Sequence, residues 1–296
     1  MPELPEVETT VRDLKKAQPP ILRTGFFDLW TDWKKIVKKP KNFSDFKKDL
    51  LGKKILDIKR KGKNILFFLS SNKVLLIHQK LTGHLLYGKW EIRKGRPEPK
   101  IKGPISEDPM NRFLHLIFFL NNGWQLAISD LRKFAKVELW DKDELENSKE
   151  FKNLGPEPLE EDFTFEKFRE RLLKKKKGKI KQVLMDQSVI AGIGNIYSDE
   201  ILWQAKVHPF KDVSKLKEEE LKEIYKAMKE ILKKGILTKG ESISDFRRIS
   251  GEKGGFDPLR KVYRREGEKC FRCGAIIKRI KIGGRSAHFC PNCQKL

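Results

Sequence analysis

The spacing of apolar positions changes twice along this chain. Near the start, VETTVRDLKKA places apolar residues three and four apart, which predicts a short amphipathic helix. From about residue 51 to residue 140 the period shortens. KKILDIKRKG, KNILFFLS, KVLLIHQKLTGHLLYG, RFLHLIFFLNNG and WQLAISDLRKFAKVELW are β-branched or aromatic runs cut by Gly and Asn. They predict successive short strands of a sandwich or barrel, with Asn122-Gly123 as a hairpin turn. Residues 90–111 hold four prolines and read as a loop or insertion. The basic segment 31–48 reads the same way, with room for a short helix.

A second change follows DKDELENSKEFKNLGPEPLEED, a polar stretch that reads as a linker between domains. Beyond it the period is helical in FTFEKFRERLLKKKK, IKQVLMDQ, NIYSDEILWQAK and KEEELKEIYKAMKEILKKGI. Ser214 suits the N-cap of the last of these and Gly235 its C-cap. GESISDFRRISGEKGGFDPLRKVYRREGEK is Gly-rich and basic, which fits an ordered or closable loop. The expected order is a β domain over residues 1–140, a linker over 141–158, a helical domain over 159–264 and a terminal module over 265–296.

Charge narrows the partners. Lys and Arg total 65 against 41 Asp and Glu, a net charge of +24. That excess suits a phosphate-rich polymer, because each neutralised phosphate releases condensed counterions; an anionic membrane surface is the rival. No run approaches the roughly 20 apolar residues of a membrane span. The first residues lack the cationic start and apolar segment of a signal peptide. A soluble cytoplasmic protein is therefore expected.

All four cysteines fall in the last 27 residues, as C-x2-C, sixteen residues, then C-x2-C. Cys270, Cys273, Cys290 and Cys293 can close a tetrahedral shell around one structural zinc ion. The spacer IIKRIKI-Gly283-Gly284-RSAHF fits a two-stranded hairpin with Arg285 at its tip, either aimed at phosphate or simply solvated. Gly192-Ile193-Gly194-Asn195, entering a helix, can offer backbone N–H groups to phosphate, or serve only as a capped turn. Lys63 stands where a basic turn enters an apolar strand, as a poised catalyst, a phosphate ligand or an exposed cation. Asp130-Leu131-Arg132-Lys133-Phe134 sets cations beside an aromatic, the combination of a wedge entering a base stack, or of an ordinary core Phe. The five histidines show no metal-ligand spacing.

Taken together and in order, PELPEVET, RKGKNILF, LTG near residue 82, DLRKF, LGPEPL, MDQSVIAGIGNIYSDEIL, VYRREGEKC and GRSAHFCPNC resemble the formamidopyrimidine-DNA glycosylase family, across the chain apart from the two insertions. The resemblance implies a two-lobed α+β protein. Its N-terminal lobe is a β-sandwich with flanking helices; its C-terminal lobe has a helix–two-turn–helix motif and a four-cysteine zinc-finger hairpin. DNA lies across the cleft. It implies removal of oxidised purines from double-stranded DNA, then β,δ-elimination at the abasic site, by a monomer with no membrane partner.

Carried over by motif, Pro2 would be the nucleophile after loss of Met1, and Glu3 a proton shuttle. Lys63 would assist at the damaged nucleotide and Arg285 would grip the flanking phosphates. Leu81, Arg132 and Phe134 would fill the vacated stack. Lys176, Lys181 and Asn195 would contact phosphate, with Glu6 and Glu200 in support. Two departures stand out. The family's Asp-Pro-Arg-Arg-Phe-Gly is Asp130-Leu131-Arg132-Lys133-Phe134-Ala135 here, and a family histidine aligns with Phe113, leaving His115 as its neighbour. The sister Nei branch, which prefers oxidised pyrimidines, usually starts Pro-Glu-Gly-Pro rather than Pro-Glu-Leu-Pro. A non-catalytic zinc-dependent DNA-binding protein is the other alternative; extra N-terminal residues would leave such a binder unaffected.

Overall fold

The computed structural model describes residues 1–243 and 245–296. The chain forms two compact units, Met1–Lys152 with Thr238–Gly255, and Asn153–Leu237 with Phe256–Leu296. The fold is mixed α+β, with sheets in the first unit and helices plus a small hairpin in the second. Among the described residues, no helix is long and apolar enough to cross a membrane.

The first unit runs α1 (Leu4–Lys15), β1 (Phe26–Thr31), β2 (Val37–Lys39), α2 (Phe43–Leu50), β3 (Ile55–Lys61), β4 (Asn64–Leu69), β5 (Lys73–His78), β6 (Gly83–Gly88), β7 (Trp90–Arg93), β8 (Arg96–Pro99), α3 (Pro104–Glu107), β9 (Leu114–Leu120), β10 (Gln125–Asp130), β11 (Lys136–Asp141), α4 (Lys142–Asn147) and α5 (Lys149–Lys152). One sheet has the order β1-β9-β10-β6 and another β2-β11-β5-β4-β3. Their facing apolar residues, among them Phe26, Phe118 and Ile128 from one and Ile58, Phe67 and Val137 from the other, share one core. Val7, Val11 and Leu14 of α1 join that core at helical spacing. Fully burying such a side chain contributes roughly 1.5–3 kcal/mol. The Asn122-Gly123 turn closes β9 onto β10 as expected, with Gly123 at φ 75°.

Three segments differ from the sequence expectation. Residues 90–111 are structured: β7 and β8 pair as a hairpin, followed by α3. Pro97 and Pro99 are tolerated because β8 is a strand with one neighbour, where no second ladder needs their N–H. Residues 142–152, expected as linker, are helical; Leu145 is buried against Leu66, Val74 and Leu76, and Phe151 packs there too. The segment 31–48 carries β2, which pairs parallel with β11, and most of α2, capped by the Asn42 side chain.

The second unit holds α6 (Phe165–Leu173), α7 (Ile180–Met185), α8 (Asn195–Gln204), α9 (Glu218–Leu237) and the hairpin β12 (Lys278–Ile282) and β13 (Arg285–Phe289). Both expected caps of α9 are displaced. Ser214 lies in a separate 3-10 turn, cut off from the helix by the extended backbone at Leu216. Gly235 is inside the helix, because the buried stripe Ile224, Met228, Leu232 and Ile236 carries packing past it. The segment 238–255, expected in the helical domain, packs with the first unit.

Candidate catalytic and nucleic-acid site

The start of the chain is a rigid mount. Pro2, Glu3 and Glu6 are all buried. Glu3 is the N-cap of α1 and forms a capping box with Glu6: its N–H donates to Glu6 Oε2 at 2.7 Å. Glu6 Oε1 accepts the N–H of Glu241 at 2.8 Å, so one carboxylate joins the first helical turn to the segment 238–255. Glu3 and Glu6 also sit at the positive end of the helix dipole, where acidic side chains are well placed.

Lys63 lies in the turn between β3 and β4 and is buried, not exposed. His78, opposite Asn64 in the β4–β5 ladder, is held well below the ordinary histidine range by burial, then by the cations Lys80, Lys136 and Lys63. His78 is therefore a neutral imidazole.

The structure brings Leu81, Arg132 and Phe134 to one end of the β6–β10 pair, where Gly83 faces Asp130. Asp130 organises both turns. Its fully buried carboxylate accepts the N–H groups of Phe134 and Ala135, each at 2.7 Å, and the hydroxyl of Thr82. Thr82 Oγ1 in turn accepts Arg132 N–H at 3.1 Å. Phe134 is 46% exposed, and its ring lies 4.9 Å from the Arg132 guanidinium. An aromatic held out beside a cation is no core residue; it is fit to stack on a base. In this turn Lys133 itself adopts the left-handed conformer that glycine favours, at φ 56°. His115 faces Asp32 of the 31–48 segment at 2.8 Å and lies edge-on to Trp33.

In the second unit the turn from α7 to α8 is shaped by Gln187. Its carboxamide accepts Gly192 N–H and donates to the carbonyl of Ile193. Asn195 opens α8, and its Oδ1 is buried without a partner. With Tyr263, Arg264, Glu266, Arg279, Ser286 and His288 it lines a cleft of about 540 Å³. Lys176 is exposed on the turn after α6. Lys181 is not. Its side chain has no exposed surface, and its ammonium donates to Asp199 Oδ1 and to the Ser286 carbonyl at 2.7 Å. It holds the hairpin from within instead of meeting phosphate. Asp199 Oδ2 also accepts from His288 N–H at 2.9 Å. No local pattern marks this buried network, because Asp199 and His288 lie 89 residues apart.

Glu200 accepts three N–H groups, from Lys261, Val262 and Tyr263, at 2.8–3.0 Å. Burial pushes its carboxyl up from the ordinary range, against those three donors. It fixes the approach to the cysteine module.

Arg285 is exposed at the hairpin tip, as expected. Gly283 and Gly284 have φ of 52° and 74°, the signs of a type I′ turn. A Cβ on Gly283 would meet only the mobile end of the Gln182 side chain, so it is the backbone angle that calls for glycine at the tip. The four cysteine sulfurs all lie within 4.8 Å of one another. Tetrahedral Zn–S bonds of about 2.3 Å would put sulfurs about 3.8 Å apart, so the set fits one structural zinc ion. Burial and the adjoining sulfurs push Cys293 up to about 12, a charge problem that a dication removes.

Residues 1–137 match the model of the formamidopyrimidine-DNA glycosylase N-terminal domain, residues 154–247 that of the formamidopyrimidine-DNA glycosylase H2TH domain, and residues 267–296 a zinc finger found in FPG and IleRS. A formamidopyrimidine-DNA glycosylase of Pelotomaculum thermopropionicum is 39% identical over 296 residues, covering 100% of both chains. The chain belongs to the formamidopyrimidine-DNA glycosylase family. The glycosylase of Bacillus cereus is 36% identical, with 99% of each chain covered. Among solved structures, Lactococcus lactis Fpg in complex with abasic-site DNA has a TM-score of 0.85 at 36% identity, covering 99% of this chain and 100% of that one. MutM in complex with DNA containing carbocyclic 8-oxo-G has a TM-score of 0.85 at 37% identity, covering 100% of both. The formamidopyrimidine-DNA glycosylase H2TH model ends at residue 247, inside the segment that packs with the first unit.

Proposed function

We propose that the chain is a bifunctional DNA glycosylase and AP lyase of base-excision repair, which removes 8-oxoguanine and formamidopyrimidines from double-stranded DNA. Full-length likeness to formamidopyrimidine-DNA glycosylases supports the reading. The observation that carries it within this chain is the buried Pro2-Glu3-Glu6 mount at the start of α1. The net charge of +24 supports DNA as partner. The enzyme acts as a monomer in the cytoplasm. The unit formed by Met1–Lys152 with Thr238–Gly255 carries the chemistry, and the unit formed by Asn153–Leu237 with Phe256–Leu296 grips the backbone.

Once Met1 is removed, the chain end is a secondary amine. Chain-terminal α-amines titrate near pH 7.7–8.0, about 2.5 units below lysine, so a useful fraction is neutral. Pro2 nitrogen attacks C1′ and the bond to the damaged base breaks. The amine gives up its proton, the C1′–O4′ bond opens with O4′ taking a proton, and the result is an iminium with no N–H to lose, whose fixed positive charge acts as an electron sink. Proton removal at C2′ then expels the 3′ phosphate, and a second elimination the 5′ phosphate. Glu3 moves the protons at the sugar. Lys63 assists at the damaged nucleotide. The nucleotide first leaves the stack, and Leu81, Arg132 and Phe134 occupy its place. Asn195, Lys176 and Arg285 hold phosphates, and Glu200 supports the segment leading to the hairpin.

Borohydride reduces the iminium to a stable amine and should trap the protein on lesion DNA. Pro2→Gly should lose most of that adduct. Undiminished trapping in the variant would put the nucleophile elsewhere.

A further inference from the structure

The segment 238–255 is tied down at three places. At its feet, Gly255 N–H donates to Thr238 carbonyl at 2.7 Å and Gly254 N–H to Ser242 Oγ at 2.8 Å. A Cβ on Gly254 would meet Gly240 O at 2.3 Å, so the feet are pinched together. Near one foot, Glu241 N–H holds Glu6. Gly240 lies against the same side chain, where a Cβ would be 3.0 Å from Glu6 Cγ.

The third tie is the segment after the β7–β8 hairpin. Arg247 Nε meets Asp108 Oδ2 at 2.6 Å, with the two side chains only 5% and 16% exposed. Asn111 Nδ2 donates to the Gly251 carbonyl at 3.1 Å and to the Pro104 carbonyl at 2.8 Å. Asn111 Oδ1 is 3.0 Å from His84 Nε2 of β6, and burial holds His84 down to about 4, so this contact stays neutral. Gly251, at φ 85°, leaves no room for a Cβ: it would stand 2.7 Å from Asn111 Nδ2 and from Ile105 N. Tyr87 N–H donates to Ile249 carbonyl at 2.8 Å. These contacts fix the register of the segment against β6 and α3.

We propose that Asp108 and Asn111 are positioning residues for the Glu3–Glu6 pair. They lock the 238–255 segment, and the locked segment presents Glu241 N–H to Glu6, which holds the Glu3 N–H beside Pro2. The inference rests on the reading of Pro2 and Glu3 as the reacting end.

The test is single-turnover excision and borohydride trapping at saturating lesion DNA, for Asn111→Ala, Glu6→Gln and the double variant. Asn111→Ala removes its contacts to Gly251, Pro104 and His84; if the effect that reaches Glu6 is worth one placed hydrogen bond, the rate falls up to about tenfold, with DNA affinity changed less than about twofold. If Asn111 acts through Glu6, the double variant is little slower than Glu6→Gln alone. Equal rate losses in both backgrounds, or an unchanged Asn111→Ala, would overturn the role. Should Asn111→Ala fail to fold, as read by Tm, Asp108→Asn at the less buried end of the lock takes its place in the same cycle. Pro2→Gly is run in parallel. Persistent trapping there defeats the nucleophile assignment, whereas additivity with trapping still dependent on Pro2 defeats the positioning role alone.

Discussion

At Asp130 a single side chain decides the shape of two turns. Its carboxylate, itself fully buried, takes three backbone N–H groups, of Arg132, Phe134 and Ala135, and the Thr82 hydroxyl. Asp130→Ala leaves those donors buried and unpaired, at a cost of about 2–4 kcal/mol. Urea unfolding should show that loss. Affinity for lesion DNA should drop more than affinity for undamaged DNA, because the Arg132–Phe134 pair would no longer be held outward; equal losses would detach the turn from lesion binding. At this scale the sequence is informative where a motif is contiguous. Arg132 and Phe134 stand two apart and their exposure follows from the turn. The burial of Lys63 and Lys181 is not legible in that way. Whether a lysine is exposed depends on partners far along the chain, as Asp199 and Ser286 are for Lys181.

Among the elements, the β12–β13 hairpin depends most on one local device. Only five residue pairs join its strands, too few for an isolated hairpin to persist in water. Four thiolates on one ion would supply the rest. Cys290→Ser should lower bound zinc from one per chain to near zero, measured by metal analysis of dialysed protein, and weaken DNA binding. Full binding by the metal-free variant would separate the ion from the phosphate contact proposed for Arg285. The C-x2-C spacing and the glycine pair make this element readable, since both ligands of each half lie within four residues. Residues 90–111 and 142–152 are not readable in the same way. Their prolines and charges look like loop, and only packing against Leu66, Val74 and Leu76, or pairing of β7 with β8, orders them.

On the scale of the whole molecule, 65 cations against 41 anions make salt the natural probe. The logarithm of DNA affinity should fall linearly with the logarithm of salt concentration. Lys176→Ala, at an exposed lysine proposed to contact phosphate, should reduce that slope by about 1, equally on damaged and undamaged duplexes. A slope identical to that of the parent would remove Lys176 from the contact set. Strand and helix halves are legible from the change of apolar period near residue 141. The return of residues 238–255 to the first unit is not, because nothing local marks Arg247 or Gly251 as partners of Asp108 and Asn111.

That returning segment leaves and re-enters at almost one point: Thr238 and Gly255 share a hydrogen bond of 2.7 Å. Its length is therefore uncoupled from the course of the rest of the chain. Residues added or removed between the two feet need not shift either of them, and each doubling of a flexible loop adds only about 0.6 kcal/mol of closure entropy. The segment is a port for size variation, where length can change away from its ties to Glu6, Asp108 and Asn111 while the flanking helix keeps its register.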